Sequence, residues 1–185
     1  MTTIQRVKVR HCLDSPDFDE YASDPRTVDL LCSLVAFTDP QVIVEAGTYL
    51  GHTSLALAHV IKECGLRGHV WTADVYDPCA NGIETQGVEA LGVQEYITVY
   101  HGSFDDMLAT ITEPVDFAYL DASAKDDPGM RERHLMRVTE RASPGALIVV
   151  DDVNGNWPGA GDMREGAGLF LVLHRGLAIF QKRRD

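Results

Sequence analysis

Apolar and polar positions along this chain switch between two periods, and the switches mark out the elements. Val28, Leu31, Cys32 and Val35 recur at helical spacing behind Asp24-Pro25, a side-chain cap with proline at the first helical position, and Asp39-Pro40 stops the run. Val42-Ile43-Val44 is then a β-branched strand. It ends in Glu45, passes Gly47 and Gly51, and becomes the apolar helical run Leu55 to Ile61, with Thr53 or Ser54 as the expected cap and Gly65 as the stop. His69 to Asp74 predicts a second strand, Gly82 to Leu91 a weak helix, and Tyr96 to Tyr100 a third strand followed by a short helix ending near Ile111. Val115 to Asp121 is a fourth strand and Pro128 to Arg141 a charged amphipathic helix. After a turn at Pro144-Gly145, Ala146 to Asp152 is a fifth strand, apolar enough to be buried on both faces. Asn154 to Gly168 is glycine-rich and reads as a loop, and Leu169 to Leu173 with Leu177 to Lys182 reads as a terminal hairpin.

This alternation predicts an α/β fold: a doubly wound, Rossmann-like sheet, mostly parallel with a C-terminal antiparallel hairpin, and ligands bound outside the carboxyl ends of its strands. The 185 residues, 45% of them hydrophobic, suit one domain spanning 1–185, with 1–23 as an irregular arm. A formal charge of −12 argues against nucleic acid and anionic membrane as partners, since both require clustered Lys and Arg. Cys12, Cys32, Cys64 and Cys79 form no C-x-x-C pair and fit reduced thiols. With no leader pattern and no membrane-length apolar run, a soluble cytoplasmic protein is expected.

The turn between the first strand and its helix is a ligand cradle. Glycine there permits positive φ and lets a ligand lie against the backbone, and the helix N-terminus beyond it favours anionic groups. Neither G-x-G-x-x-G nor G-K-[ST] is present; the turn reads E-x-G-x-x-x-G. Successive strand tips carry Glu45, Asp74, Ser103, Asp121 and the pair Asp151-Asp152. Asp74, at the second tip, is placed to accept from both ribose hydroxyls of a nucleoside, or is an ordinary loop acid like Asp77. Ser103 serves first as a helix cap and otherwise meets an adenine edge; Phe104 flanks that ring or joins the core.

The E-x-G-x-x-x-G turn resembles motif I of the class I S-adenosylmethionine-dependent methyltransferases. With the five strand tips, the stretch from Val42 to Lys182 resembles the small metal-dependent O-methyltransferases, a group typified by catechol O-methyltransferase and by bacterial relatives that methylate sugars and polyketides. The resemblance implies that Glu45, Gly47, Tyr49, Gly51, Thr53 and Ser54 hold the methionine part of S-adenosylmethionine, that Asp74 grips its ribose, and that Ser103 and Phe104 lie beside its adenine. It further implies that Asp121, Asp151 and Asp152 ligate Mg²⁺, with Asp121 also bordering the cofactor. A hard dication lowers the pKa of an acceptor hydroxyl and orients it, and three acids converging without a cation would repel one another.

Two departures stand out. Asp152 replaces the asparagine typical of the catechol enzymes, and Ala124 stands where the family often has a lysine base, with Lys125 one residue later as the candidate. His52 and His134 are alternative bases, and Trp157 is a candidate pocket wall. The implied activity is methyl transfer to a hydroxyl oxygen of a small molecule, Mg²⁺-assisted. The alternatives are a metal-independent N- or O-methyltransferase and a non-catalytic cofactor-binding partner subunit. An uncovered sheet edge suggests a homodimer.

Overall fold

The computed structural model describes residues 23–76, 87–122, 127, 129–153, 167–173 and 176–183, with only the backbone of 167–173. Helix α1, Pro25–Thr38, starts as the sequence predicts: the Asp24 carboxylate accepts from the Arg26 N–H, proline opens the first turn, and Val28, Leu31, Cys32 and Val35 are buried. Asp39 closes it in a left-handed conformation, its N–H donating to the Val35 oxygen.

The strands are β1 Val42–Ala46, β2 His69–Asp74, β3 Ile97–His101, β4 Val115–Leu120, β5 Ala142–Val150, β6 Ala167–Leu173 and β7 Leu177–Lys182. They form one sheet in the order β3-β2-β1-β4-β5-β7-β6. The first five pair in parallel, and β7 runs antiparallel to both β5 and β6. The connections are α2 His52–Cys64, a single turn α3 Glu89–Leu91, α4 Phe104–Thr110 and α5 Met130–Arg141. One face carries a core built with α1 and α2 around Ile43, Phe117, Tyr119 and Val149. The other carries a core built with α4 and α5 around Val44, Ala118, Leu120 and Ile148. The doubly wound sheet with its antiparallel C-terminal hairpin is therefore present.

Strand order reverses between β1 and β4, so the chain leaves these neighbours towards opposite faces and opens a crevice above their carboxyl ends. Three main-chain bonds tie the rim of that crevice together: Gly47 N–H to the Ala73 oxygen, Asp121 N–H to the Ala46 oxygen, and Asp151 N–H to the Leu120 oxygen, each at 3.0 Å.

Local expectations needed correction at two points. β5 starts at Ala142, directly out of α5, and ends at Val150, so Asp151 and Asp152 lie beyond the strand. Its ladder to β4 pairs Val115 with Ala142 and then Phe117 with Leu147, which places Pro144-Gly145 inside a register shift instead of in a turn before the strand. Helix α2 begins at His52, with Gly51 at the cap position and no side-chain cap bond. Gly51 donates to the Thr48 oxygen at 2.7 Å and accepts from Leu55, so the backbone itself starts the helix before Thr53 and Ser54 are reached. Of the helix expected over Gly82 to Leu91, only the end lies within the described residues. Among the described residues, Cys32 is buried and Cys64 exposed, and no helix is long and apolar enough to cross a membrane.

Candidate active site

The crevice above β1 and β4 is floored by the glycine turn. Gly47 has φ +98° and its Cα lies against the start of the chain after β4: a Cβ there would lie 3.1 Å from the Ala122 nitrogen. Only glycine permits that approach. Tyr49 and Gly51 also take positive φ, 44° and 73°, completing a loop that curls back over the strand end. Asp74 fixes this loop from β2. Its Oδ2 accepts from the Tyr49 N–H at 2.9 Å and its Oδ1 from the Tyr76 N–H at 3.0 Å, so both oxygens are already oriented by main-chain donors.

Beneath the turn Glu45 is 1% exposed. The Thr72 hydroxyl donates to its Oε2 and shares a 2.6 Å hydrogen bond with the Thr48 hydroxyl. Burial, opposed by the Thr72 hydrogen bond and reinforced by the negative charge of Asp121, pushes the Glu45 carboxyl up to about 8. Thr72 bonds this buried acid directly and Thr48 bonds Thr72; both are absent from the sequence-based site, whereas Ser54, which also bonds the Glu45 carboxyl, is part of it.

At the far wall Asp121 and Asp151 converge on one phenol. Tyr119 donates to Asp151 Oδ2 at 2.7 Å, and its oxygen lies 3.1 Å from Asp121 Oδ2. The Ser23 hydroxyl donates to the same Asp121 oxygen at 3.1 Å and accepts from the Thr53 hydroxyl at 3.1 Å. Residues from before α1, from the first turn of α2 and from the ends of β4 and β5 thus meet in one network. Burial first, and then the charge of Asp151, raises the Asp121 carboxyl to about 7, while the Tyr119 hydrogen bond restrains the rise. Tyr119 itself is held well above the ordinary phenol range by burial and by both acids. The pair can accept hydrogen bonds from a ligand hydroxyl, take up a proton, or hold a cation.

Other sequence-based candidates fall elsewhere. Asp152 is turned outward to Arg131 on α5, Nη2 to Oδ2 3.6 Å, and among the described residues no three acidic, histidine or cysteine side chains gather as a metal site. Ser103 caps α4, accepting from the Asp106 N–H at 3.1 Å and donating to its carboxylate at 2.6 Å. Phe104 is 4% exposed and packs against the His134 ring at 4.8 Å, which makes it a core residue. Thr53 and Ser54 are both buried in the first turn of α2, where Ser54 donates to the Gly51 oxygen at 3.2 Å. His134 is buried and its pKa lowered by desolvation. Lys125 and Trp157 lie outside the described residues. Sequence reasoning missed Ser23, Thr48, Thr72, Tyr119 and Arg131; for Thr72 and Tyr119 there was a signal, each standing two positions before a strand-tip acid.

A family profile of methyltransferase domains matches residues 44–153, which run from β1 through the acids beyond β5. The chain belongs to this methyltransferase family. Solved structures share the methyltransferase fold. An O-methyltransferase from Bacillus cereus in complex with SAH is 21% identical over 95% of this chain and 90% of that one, with a TM-score of 0.68. The O-methyltransferase TomG from Streptomyces achromogenes, involved in tomaymycin synthesis and solved with SAM, is 21% identical over 95% and 86%, TM-score 0.66. The SAH-bound methyltransferase PaMTH1 from Podospora anserina is 16% identical over 96% and 86%, TM-score 0.70. No curated protein sequence matches this methyltransferase.

Proposed function

We propose that this methyltransferase moves a methyl group from S-adenosylmethionine to a hydroxyl oxygen of a small acceptor, with Mg²⁺ assisting. The observation that carries the reading is the convergence of Asp121 and Asp151 beside a glycine turn that brings Gly47 against Ala122. The Gly47 to Gly51 turn would lie under the methionine portion of the cofactor and Asp74 beside its ribose. The presence of SAM or SAH in the solved O-methyltransferases supports that assignment.

Transfer from a sulfonium is an in-line displacement: the acceptor oxygen forms a bond to the methyl carbon as the carbon–sulfur bond breaks, and the hydroxyl proton must leave. The chain's contribution is positional. Asp121 and Asp151, locked by Tyr119 and Ser23, hold the acceptor hydroxyl at attack distance, and a carboxylate of the pair receives its proton. Two carboxylates fit a hard divalent cation in part, and such a cation, when bound, supplies further acidification of the hydroxyl. Asp152 does not join them here. That observation favours a second reading, in which Asp121, raised to about 7, acts as the general base without metal.

Calorimetry with S-adenosylmethionine, followed by turnover on a panel of catechols and sugars before and after exhaustive EDTA treatment, tests both. Loss of turnover on chelation and recovery with Mg²⁺ supports the first reading. Full survival removes the cation and leaves Asp121 as base, and binding without turnover on any acceptor points to a cofactor-binding subunit. Asp151→Ala should abolish Mg²⁺-dependent turnover while leaving cofactor affinity within a few fold.

A further inference from the structure

The residue that departs from the acid pair does so for a structural reason. Asp152 takes a left-handed φ of +55°. Its side chain, 72% exposed, pairs with Arg131, which is only 17% exposed. Arg131 also reaches the main chain, its Nη1 donating to the Asp152 backbone oxygen at 3.3 Å. The guanidinium therefore grips this turn at two points, from the first turn of a helix anchored in the core by His134, Leu135 and Val138. Of the two partners, Arg131 is the less exposed, so Asp152 goes to it. Meanwhile the Asp152 N–H donates to Asp151 Oδ1 at 2.8 Å, so the residue presents its main chain, not its carboxylate, to the acid pair.

Electrostatics favour this arrangement. A third carboxylate swung in beside Asp121 and Asp151 would meet two like charges, whereas Arg131 offers an opposite charge, one nitrogen facing the Asp152 carboxylate and the other its backbone oxygen. The contact is long and its acid is wet, so it is a weak hold, one that can be released.

We propose that Arg131 is a positioning residue that withholds Asp152 from the acid pair, so that a divalent cation arriving there meets two protein carboxylates and gains the third only when Arg131 lets go. The inference rests on the reading of Asp121 and Asp151 as a cation-receiving pair, and it predicts that Arg131 sets the affinity of that pair.

Its test uses Mn²⁺ alone, titrated into the full chain without cofactor or acceptor, with free Mn²⁺ followed by electron paramagnetic resonance. Arg131→Gln should tighten Mn²⁺ binding about fivefold, the scale of an exposed ion pair. Asp152→Ala in the wild-type background should change affinity by less than about twofold, and the same change added to Arg131→Gln should cancel the gain. Should Arg131→Gln fail to fold, Arg131→Lys, which keeps the charge but loses the two-point fork, should show a smaller gain that Asp152→Ala again cancels.

A gain that persists in Arg131→Gln/Asp152→Ala is a general charge effect and overturns the proposal. So does a loss on Asp152→Ala in the wild type as large as that on Asp151→Ala, because Asp152 is then already a ligand. Absence of Mn²⁺ binding in both wild type and Arg131→Gln overturns it too. S-adenosylmethionine calorimetry on the same samples keeps the questions apart: intact cofactor binding with a failed Mn²⁺ pattern rejects the clamp alone, and absent cofactor binding rejects the methyltransferase reading.

Discussion

Burial puts Glu45 in an environment far from its chemistry in water. With its carboxyl at about 8 in the folded chain against an ordinary 4.5, the native state holds a proton that the unfolded state has already lost between those values. Stability is therefore greatest below about pH 4.5 as far as this group is concerned, falls as pH rises towards 8, and levels off above it, with a slope of up to about 1.4 kcal/mol per pH unit. Asp121, raised to about 7, contributes in the same direction over a lower window. Glu45→Gln should remove roughly half of this dependence and raise the melting temperature at pH 8, read from thermal melts of the cofactor-free protein between pH 5 and 8. Tyr119→Phe acts oppositely. It keeps the packing but removes the donor to Asp151 and the restraint on Asp121, and should cost about 1 to 2 kcal/mol in urea melts at pH 7.

Among the elements, the β1–α2 turn is the least tolerant. Gly47 combines φ +98° with an approach that leaves a Cβ 3.1 Å from the Ala122 nitrogen and 3.2 Å from the Asp121 carbonyl carbon. Gly47→Ala must open the rim between β1 and β4, at a cost of about 1 to 3 kcal/mol, and should weaken S-adenosylmethionine binding at least tenfold by calorimetry. This turn also shows what a sequence carries and what it hides. Its strand, its glycines and the helix after it follow from local patterning, because β-branched runs, positive-φ glycines and apolar 3.6-residue spacing act within a few residues. The start of α2 does not, since it depends on how Thr48 and Gly51 close the loop. Nor does the early start of β5, which is set by its partner β4. Arg131 was invisible for the same reason, since it reaches from a helix to a strand end; Tyr119 was marked only by its place two residues before Asp121, and its contact between two strands exists only once the sheet is assembled. The outward turn of Asp152 belongs with them, as it follows from Arg131 and not from the Asp-Asp dipeptide.

On the scale of the whole molecule, two cores on opposite faces of one sheet share a rim, and Asp74, Asp121 and Asp151 of the candidate site stand on it. A ligand held there bridges β1, β2 and β4 at once, so binding stabilises the domain as a unit. At one hundred times its dissociation constant, S-adenosylmethionine should add about 2.7 kcal/mol. For a chain of this length that corresponds to a rise of about 5 to 10 °C in Tm, measurable by differential scanning fluorimetry over a cofactor series. A flat series would mean that the cofactor does not engage the native state.

Ser23 stands at the very entrance to α1 and touches Tyr119, Asp121 and Thr53. Lys182, by contrast, ends a strand that runs down from the rim: Ala178 pairs with Val150 near the top and Gln181 with Leu147 below it. With the native cysteines replaced, an environment-sensitive dye attached through a cysteine at position 23 would therefore sit among the acids and report ligand arrival directly, whereas one at position 182 in a second sample would serve as the reference away from them.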